Sequence, residues 1–137
     1  MKEHIFVYGT LRPECAPEEV KALIRGLSFV GQARVRGKLY DLGPYPGAVA
    51  CDDESAEIRG DLFALPADRL RALDEYEGYD PRDERGSLFV RRRTIATLDD
   101  GQRIECWIYF YNGRVDAARL IPGGDYLDYL REKAGRR

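Results

Sequence analysis

The sequence contains one histidine, His4, and three cysteines. A Ser-His-Asp or Cys-His site would have to be built on that single imidazole near the N-terminus. Structural zinc usually takes four Cys or His ligands at short spacings, and no such set is present. Cys15, Cys51 and Cys106 form no CxxC pair, and their odd number argues against a disulfide framework. A reducing cytoplasm is the expected location. No apolar run approaches the roughly 18 residues needed to cross a bilayer, so no membrane partner is expected. The stretch from Met1 to Gly9 turns polar too soon for a signal peptide. An excess of one charge is missing too. Lys and Arg number 22 against 24 Asp and Glu, for a net charge of −2, which argues against nucleic acid as a partner. Neither GxxxxGK[ST] nor GxGxxG occurs, so no phosphate-cradling loop is announced. Carboxylates, backbone dipoles and tyrosines are left to carry the chemistry, with no metal and no other cofactor expected.

What is present is globular in composition, with 44% hydrophobic and 34% charged residues. A length of 137 residues predicts a single domain over residues 1–137 with a core of its own. Ile5-Phe6-Val7-Tyr8, ended by Gly9, reads as a buried strand. Pro17-Glu18-Glu19 opens a short helix that Gly26 stops. Phe29–Val35, Lys38–Leu42, Ala48–Cys51 and Glu57–Leu65 read as strands, with a strong turn at Gly43-Pro44-Tyr45-Pro46-Gly47. Pro66–Glu77 is the best helix, with Gly78 just beyond it. Leu88–Leu98 and Arg103–Tyr111 are long strands joined by an Asp99-Asp100-Gly101 hairpin turn. Gly123-Gly124 precedes a short terminal helix. About six strands and two or three short helices predict an α+β fold, a curled sheet or barrel flanked by helices.

The Pro66–Glu77 helix carries an anomaly. On a wheel of about 100° per residue with Leu70 at zero, Leu73 and Tyr76 centre the apolar face near −60°. Glu77 then falls at about −20°, inside that face, Asp74 at about +40°, on its flank, and Glu75 at about +140°, facing away. A charged, unpaired inward carboxylate costs several kcal/mol. Burial and the negative end of the helix dipole both push such a group toward neutrality, as a general acid/base at pH 7 requires.

Two other segments offer a site. Val7-Tyr8-Gly9-Thr10-Leu11-Arg12 is a strand breaking at glycine, where successive backbone N–H groups can face a carboxylate or oxyanion. In Glu105–Tyr111, side chains alternate between faces. Cys106, Ile108 and Phe110 form one face and read as core. Trp107, Tyr109 and Tyr111 form the other, which either lines a pocket or lies beneath a helix. Arg91-Arg92-Arg93 sits in a strand pattern, so its side chains alternate and make no single basic patch. Cys15 reads as a surface thiol.

Taken together, these segments resemble the γ-glutamylcyclotransferase-like family, in particular its short bacterial-type members. The resemblance runs through Val7–Arg12, Gly37-Lys38-Leu39-Tyr40-Asp41-Leu42-Gly43-Pro44-Tyr45-Pro46 and Gly60-Asp61-Leu62-Phe63-Ala64-Leu65. It continues through Leu73-Asp74-Glu75-Tyr76-Glu77-Gly78-Tyr79 and Cys106-Trp107-Ile108-Tyr109. At Asp61 many relatives carry glutamate. The resemblance implies a small mixed β-barrel flanked by short helices. It implies that Tyr8, Gly9, Thr10 and Leu11 bind the glutamyl group and that Glu77 is catalytic, with Tyr109 a pocket tyrosine. The implied reaction cyclises a γ-glutamyl group to 5-oxoproline and releases an amine, amino acid or peptide. The implied partner is thus a small γ-glutamyl substrate, the chain being a monomer or homodimer. A binding module that keeps the same cavity without turnover is the alternative.

Overall fold

The computed structural model describes residues 2–9, 18, 25–53 and 55–135. The alternation noted above builds strands β1 (Lys2–Val7), β2 (Ser28–Arg36), β3 (Lys38–Asp41), β4 (Pro46–Val49), β5 (Glu57–Pro66), β6 (Phe89–Leu98), β7 (Arg103–Tyr111) and β8 (Arg119–Ile121). The two helices among the described residues are α1 (Leu70–Glu77) and α2 (Tyr126–Gly135). The helix expected from Pro17 to Gly26 lies mostly outside the described residues. No described helix is long and apolar enough to cross a membrane.

Strands β6 and β7 form the hairpin expected around Gly101, pairing antiparallel from Phe89↔Tyr111 to Thr97↔Arg103. β2 joins β6 through Ala33↔Leu98 and Arg34↔Thr97, and β5 joins β2 with a bulge between Phe29 and Gly31. β1 pairs antiparallel with β5 and parallel with β7 at Ile5↔Trp107. This last pairing closes β1-β5-β2-β6-β7 into a five-stranded mixed barrel. β4, β3 and β8 extend the sheet outward from β7. The expected mixed barrel flanked by short helices is therefore present, with eight strands in place of about six. β8 went unread because its three residues, two of them exposed, are too short to show a pattern. β4 starts two residues earlier than expected. Pro46 takes the first position of that strand, where the missing N–H costs the ladder least.

Edge sharing on β7 positions the site. β1 occupies one edge of β7 at Trp107, and β4 occupies the same edge at Phe110. Between those points the strands fork. The Tyr8 hydroxyl spans the fork, donating to the Tyr109 carbonyl at 2.6 Å and accepting from the Ala48 N–H at 3.2 Å. A buried side chain thus ties together backbone groups of β7 and β4.

The barrel interior is filled by Phe6, Val35, Ile58, Leu62 and Ile108, among others, and Leu39 of β3 belongs to the same cluster. A second apolar layer lies outside the wall, where Leu70 and Leu73 of α1 cover Ile5, Val7, Phe63 and Tyr109. Burying a leucine of this kind contributes roughly 1.5–3 kcal/mol, which is what docks so short a helix. Pro66 ends β5 and is followed by a 3₁₀ turn, Ala67–Arg69, so α1 starts four residues later than expected. Its C-terminus is pinned. Gly78 takes the left-handed conformation at φ +70°, its N–H bonds Glu75 O, and the Tyr79 N–H bonds Asp74 O at 2.8 Å. These are the two bonds of a Schellman motif, and they hold Glu77 in an ordered last turn.

Candidate functional site

A cavity of about 190 Å³ opens where β1 leaves β7. β1 and the residues after it supply Tyr8 and Gly9, α1 supplies Tyr76 and Glu77, and β7 supplies Tyr109. Tyr45, Pro46, Leu88 and Phe89 complete much of the remaining wall, which is apolar and aromatic. Tyr76 and Leu88 are exposed at its rim. Glu77 is the sole carboxylate among the described residues that line it.

Glu77 occupies the inward position that the wheel assigns to it, and Glu75 is exposed. The Glu77 residue is half-buried, but its carboxyl group is desolvated by the cavity wall. Burial pushes its pKa up from the ordinary carboxylate value to about 7. No described group opposes that shift with a hydrogen bond to the anion. Asp74 departs from its expected flank position: it is buried on the far side of Tyr109, where Oδ1 accepts the Tyr109 hydroxyl at 2.6 Å. Burial raises its pKa more than the Tyr109 hydrogen bond and the Arg91 charge lower it.

The two wall tyrosines have their protons committed elsewhere. Tyr8 donates to a carbonyl and Tyr109 to Asp74. Burial holds both phenols above their usual range, and the charge of Glu77 adds to both shifts. They shape the cavity, and Glu77 is left as its titrating group near neutrality. Tyr109 lies in the apolar layer that α1 covers and also lines the cavity, with Trp107 and Tyr111 packed against the same layer. Both open readings of that strand face therefore hold at once. Cys106 and Ile108 face the interior as expected. Burial pushes the Cys106 thiol up to about 12, so it is no nucleophile.

Gly9 is required sterically. A Cβ there would stand 2.5 Å from Pro46 Cγ and 2.9 Å from Cδ. The Gly43–Gly47 turn thus packs against the end of β1, a contact that reading the segments separately did not predict. Thr10, Leu11, Arg12 and Cys15 lie outside the described residues. Arg91, Arg92 and Arg93 are each paired with acids. Arg92 makes a two-point contact with Glu84 at 2.9 and 3.0 Å, and Arg93 approaches Glu3 and Glu105. That Arg92–Glu84 contact, with Tyr79 Oη donating to Glu84 at 2.7 Å, ties down the loop between α1 and β6. The Asn112 amide also donates to the carbonyls of Glu84 and Ser87 in that loop.

Sequence comparisons show one family, and the solved structures share its fold. Residues 5–128 match the model for γ-glutamyl cyclotransferase, AIG2-like proteins. A Halalkalibacterium halodurans protein provisionally named a γ-glutamylcyclotransferase is 37% identical over 101 residues, covering 72% of this chain and 86% of its own. The γ-glutamylcyclotransferase family protein YtfP of Escherichia coli K12 is 29% identical, covering 90% of this chain and 96% of its own. The fold is similar to that of an AIG2-like protein from Mus musculus, with a TM-score of 0.71 at 20% identity over 91% of this chain and 88% of that one. It is similar also to YkqA from Bacillus subtilis, with a TM-score of 0.76 at 23% identity, where this chain spans 44% of the larger one.

Proposed function

The chain belongs to the γ-glutamyl cyclotransferase, AIG2-like family, and from that premise we propose that it cyclises a γ-glutamyl group to 5-oxoproline with Glu77 as general acid/base. The observation that carries the reading is Glu77: a carboxylate without a described hydrogen-bond donor, in an apolar cavity, titrating near 7. At neutral pH it exists in both forms, so it can take a proton and return one.

The reaction is intramolecular. Ionised Glu77 takes a proton from the substrate's α-ammonium group. The freed amine attacks the γ-carbonyl carbon, a C–N bond forms, and the carbonyl π electrons move onto oxygen. When the tetrahedral centre collapses, the bond to the leaving nitrogen breaks and Glu77 returns its proton to that nitrogen. The α-nitrogen loses its second proton to the leaving amine through solvent, so no net proton is consumed. No covalent enzyme intermediate is needed. The chain's further contribution is positional. Tyr8, Gly9 and Tyr109 shape the cavity, and the segment Gly9-Thr10-Leu11 supplies backbone N–H groups for the glutamyl carboxylate. Holding such a chain in its cyclised shape is worth roughly 7–11 kcal/mol.

The test is a mass-spectrometric assay for 5-oxoproline across γ-glutamyl amines, amino acids and peptides, with wild type beside Glu77→Gln. Release by wild type alone is expected. Equal release by both would remove Glu77 from the mechanism. Ligand-induced thermal stabilisation without release would favour a binding module.

A further inference from the structure

We propose that Asp74 is a positioning residue for this site, holding the Tyr109 hydroxyl as its hydrogen-bond acceptor and so keeping it from Glu77; this role rests on the cyclotransferase reading. Asp74 and Glu77 stand one turn apart on α1, on opposite sides of Tyr109. Glu77 faces the 190 Å³ cavity. Asp74 borders a second, broader cavity of about 940 Å³ and accepts the Tyr109 phenol.

The arrangement follows from register. Arg91 of β6 and Tyr109 of β7 are direct cross-strand partners, so their side chains leave the sheet on one face. α1 lies across that face and lowers Asp74 between them. The same Oδ1 meets the Tyr109 hydroxyl at 2.6 Å and Arg91 Nε at 3.0 Å. Arg91 Nε lacks hydrogen-bond alignment, so this second contact is an ion pair rather than a directed bond. Its guanidinium is held instead by stacking, 4.3 Å from the Trp107 ring centroid and 5.8 Å from that of Tyr79. The other charged and titratable groups on this side are Arg71 and Glu75 of α1 and Tyr79, Asp80 and Arg82 of the following loop.

The consequence falls on Glu77. A phenol beside an unpartnered carboxylate is a natural donor to it, and a hydrogen bond to the anion lowers a carboxyl pKa. Tyr109 is close enough for Glu77 to influence its titration. With Asp74 as acceptor, the hydroxyl is spent elsewhere, and Glu77 keeps the value near 7 that suits proton transfer. Without Asp74, the hydroxyl becomes available to Glu77 and would stabilise its ionised form.

The test is a carboxyl ¹³C NMR titration of the ligand-free protein, with the Glu77 signal identified by its loss in Glu77→Gln. Asp74→Ala and Asp74→Asn are each compared in the native and the Tyr109→Phe backgrounds. Any effect of removing the Asp74 charge is common to both backgrounds, so the difference between backgrounds isolates the hydroxyl. In the native background, Asp74→Ala should lower the midpoint by about one pH unit more than in Tyr109→Phe. Asp74→Asn, which keeps an acceptor oxygen, should show a smaller difference of the same sign. Equal shifts in the two backgrounds, or no shift, would overturn the proposal. If Asp74→Ala does not fold, Asp74→Asn carries the same comparison. The titration needs no turnover, so a chain that shows this coupling yet releases no 5-oxoproline contradicts only the cyclotransferase reading.

Discussion

The two sides of Tyr109 carry the same chemical group in opposite circumstances. On one side, Asp74 sits in a cavity bordered by Arg71, Arg82 and Arg91 and accepts a hydrogen bond from a phenol. On the other, Glu77 faces a largely apolar and aromatic cavity with no cation among the described residues lining it. Burial raises the pKa of both. For Asp74, a hydrogen bond and a guanidinium push back. For Glu77 no described group does, and burial pushes its pKa up to about 7. Burial is thus common to both carboxylates, and the partners separate them. Both residues come from one turn of one short helix. The difference is made by β6 and β7, which bring Arg91 and Tyr109 to Asp74 and only ring surface to Glu77.

This contrast can be attacked at several points. The largest effect is expected from Glu77→Gln, which keeps the shape and removes the titrating group. Turnover should fall by roughly 10²–10⁴-fold while thermal unfolding shows the fold intact. Gly9→Val should come next. Its side chain would collide with Pro46 and push the end of β1 from the cavity, at a cost of about 1–3 kcal/mol. A Tm loss together with a raised KM would report it. Tyr8→Phe removes the hydrogen bonds to the Ala48 N–H and the Tyr109 carbonyl in the fork, and chemical denaturation should show a loss of about 1–3 kcal/mol. Glu75→Gln should do almost nothing to activity, because that residue is exposed on the outer side of α1. A large loss there would show that the inner and outer sides of the helix have been misassigned.

Much of this arrangement was legible in the sequence. Period-two patterns place β5, β6 and β7 to within a residue or two, and Gly78 marks the end of α1. Glu77 is found by the wheel because its position depends only on helical period and on the leucines that dock the helix. Asp74 is placed less well for a related reason. The wheel measures the distance from an apolar stripe, and Asp74 is buried through polar partners that arrive from β6 and β7. Their register is set by a hairpin some fifteen to thirty-five residues downstream. The closure of the barrel through Ile5↔Trp107 is likewise a long-range parallel contact with no local signature. The packing of Gly9 against Pro46 joins two segments that each read simply as a chain break and a turn.

The most direct test of the central claim is the pH dependence of kcat/KM for 5-oxoproline release. Glu77 must be ionised to accept the α-ammonium proton. Activity should therefore rise with pH along a limb whose midpoint lies near 7, because burial disfavours the anion below that point. A limb near 4.5, the value of a solvated glutamate, or a rate independent of pH through this range, would contradict the claim that a Glu77 raised by burial moves the proton.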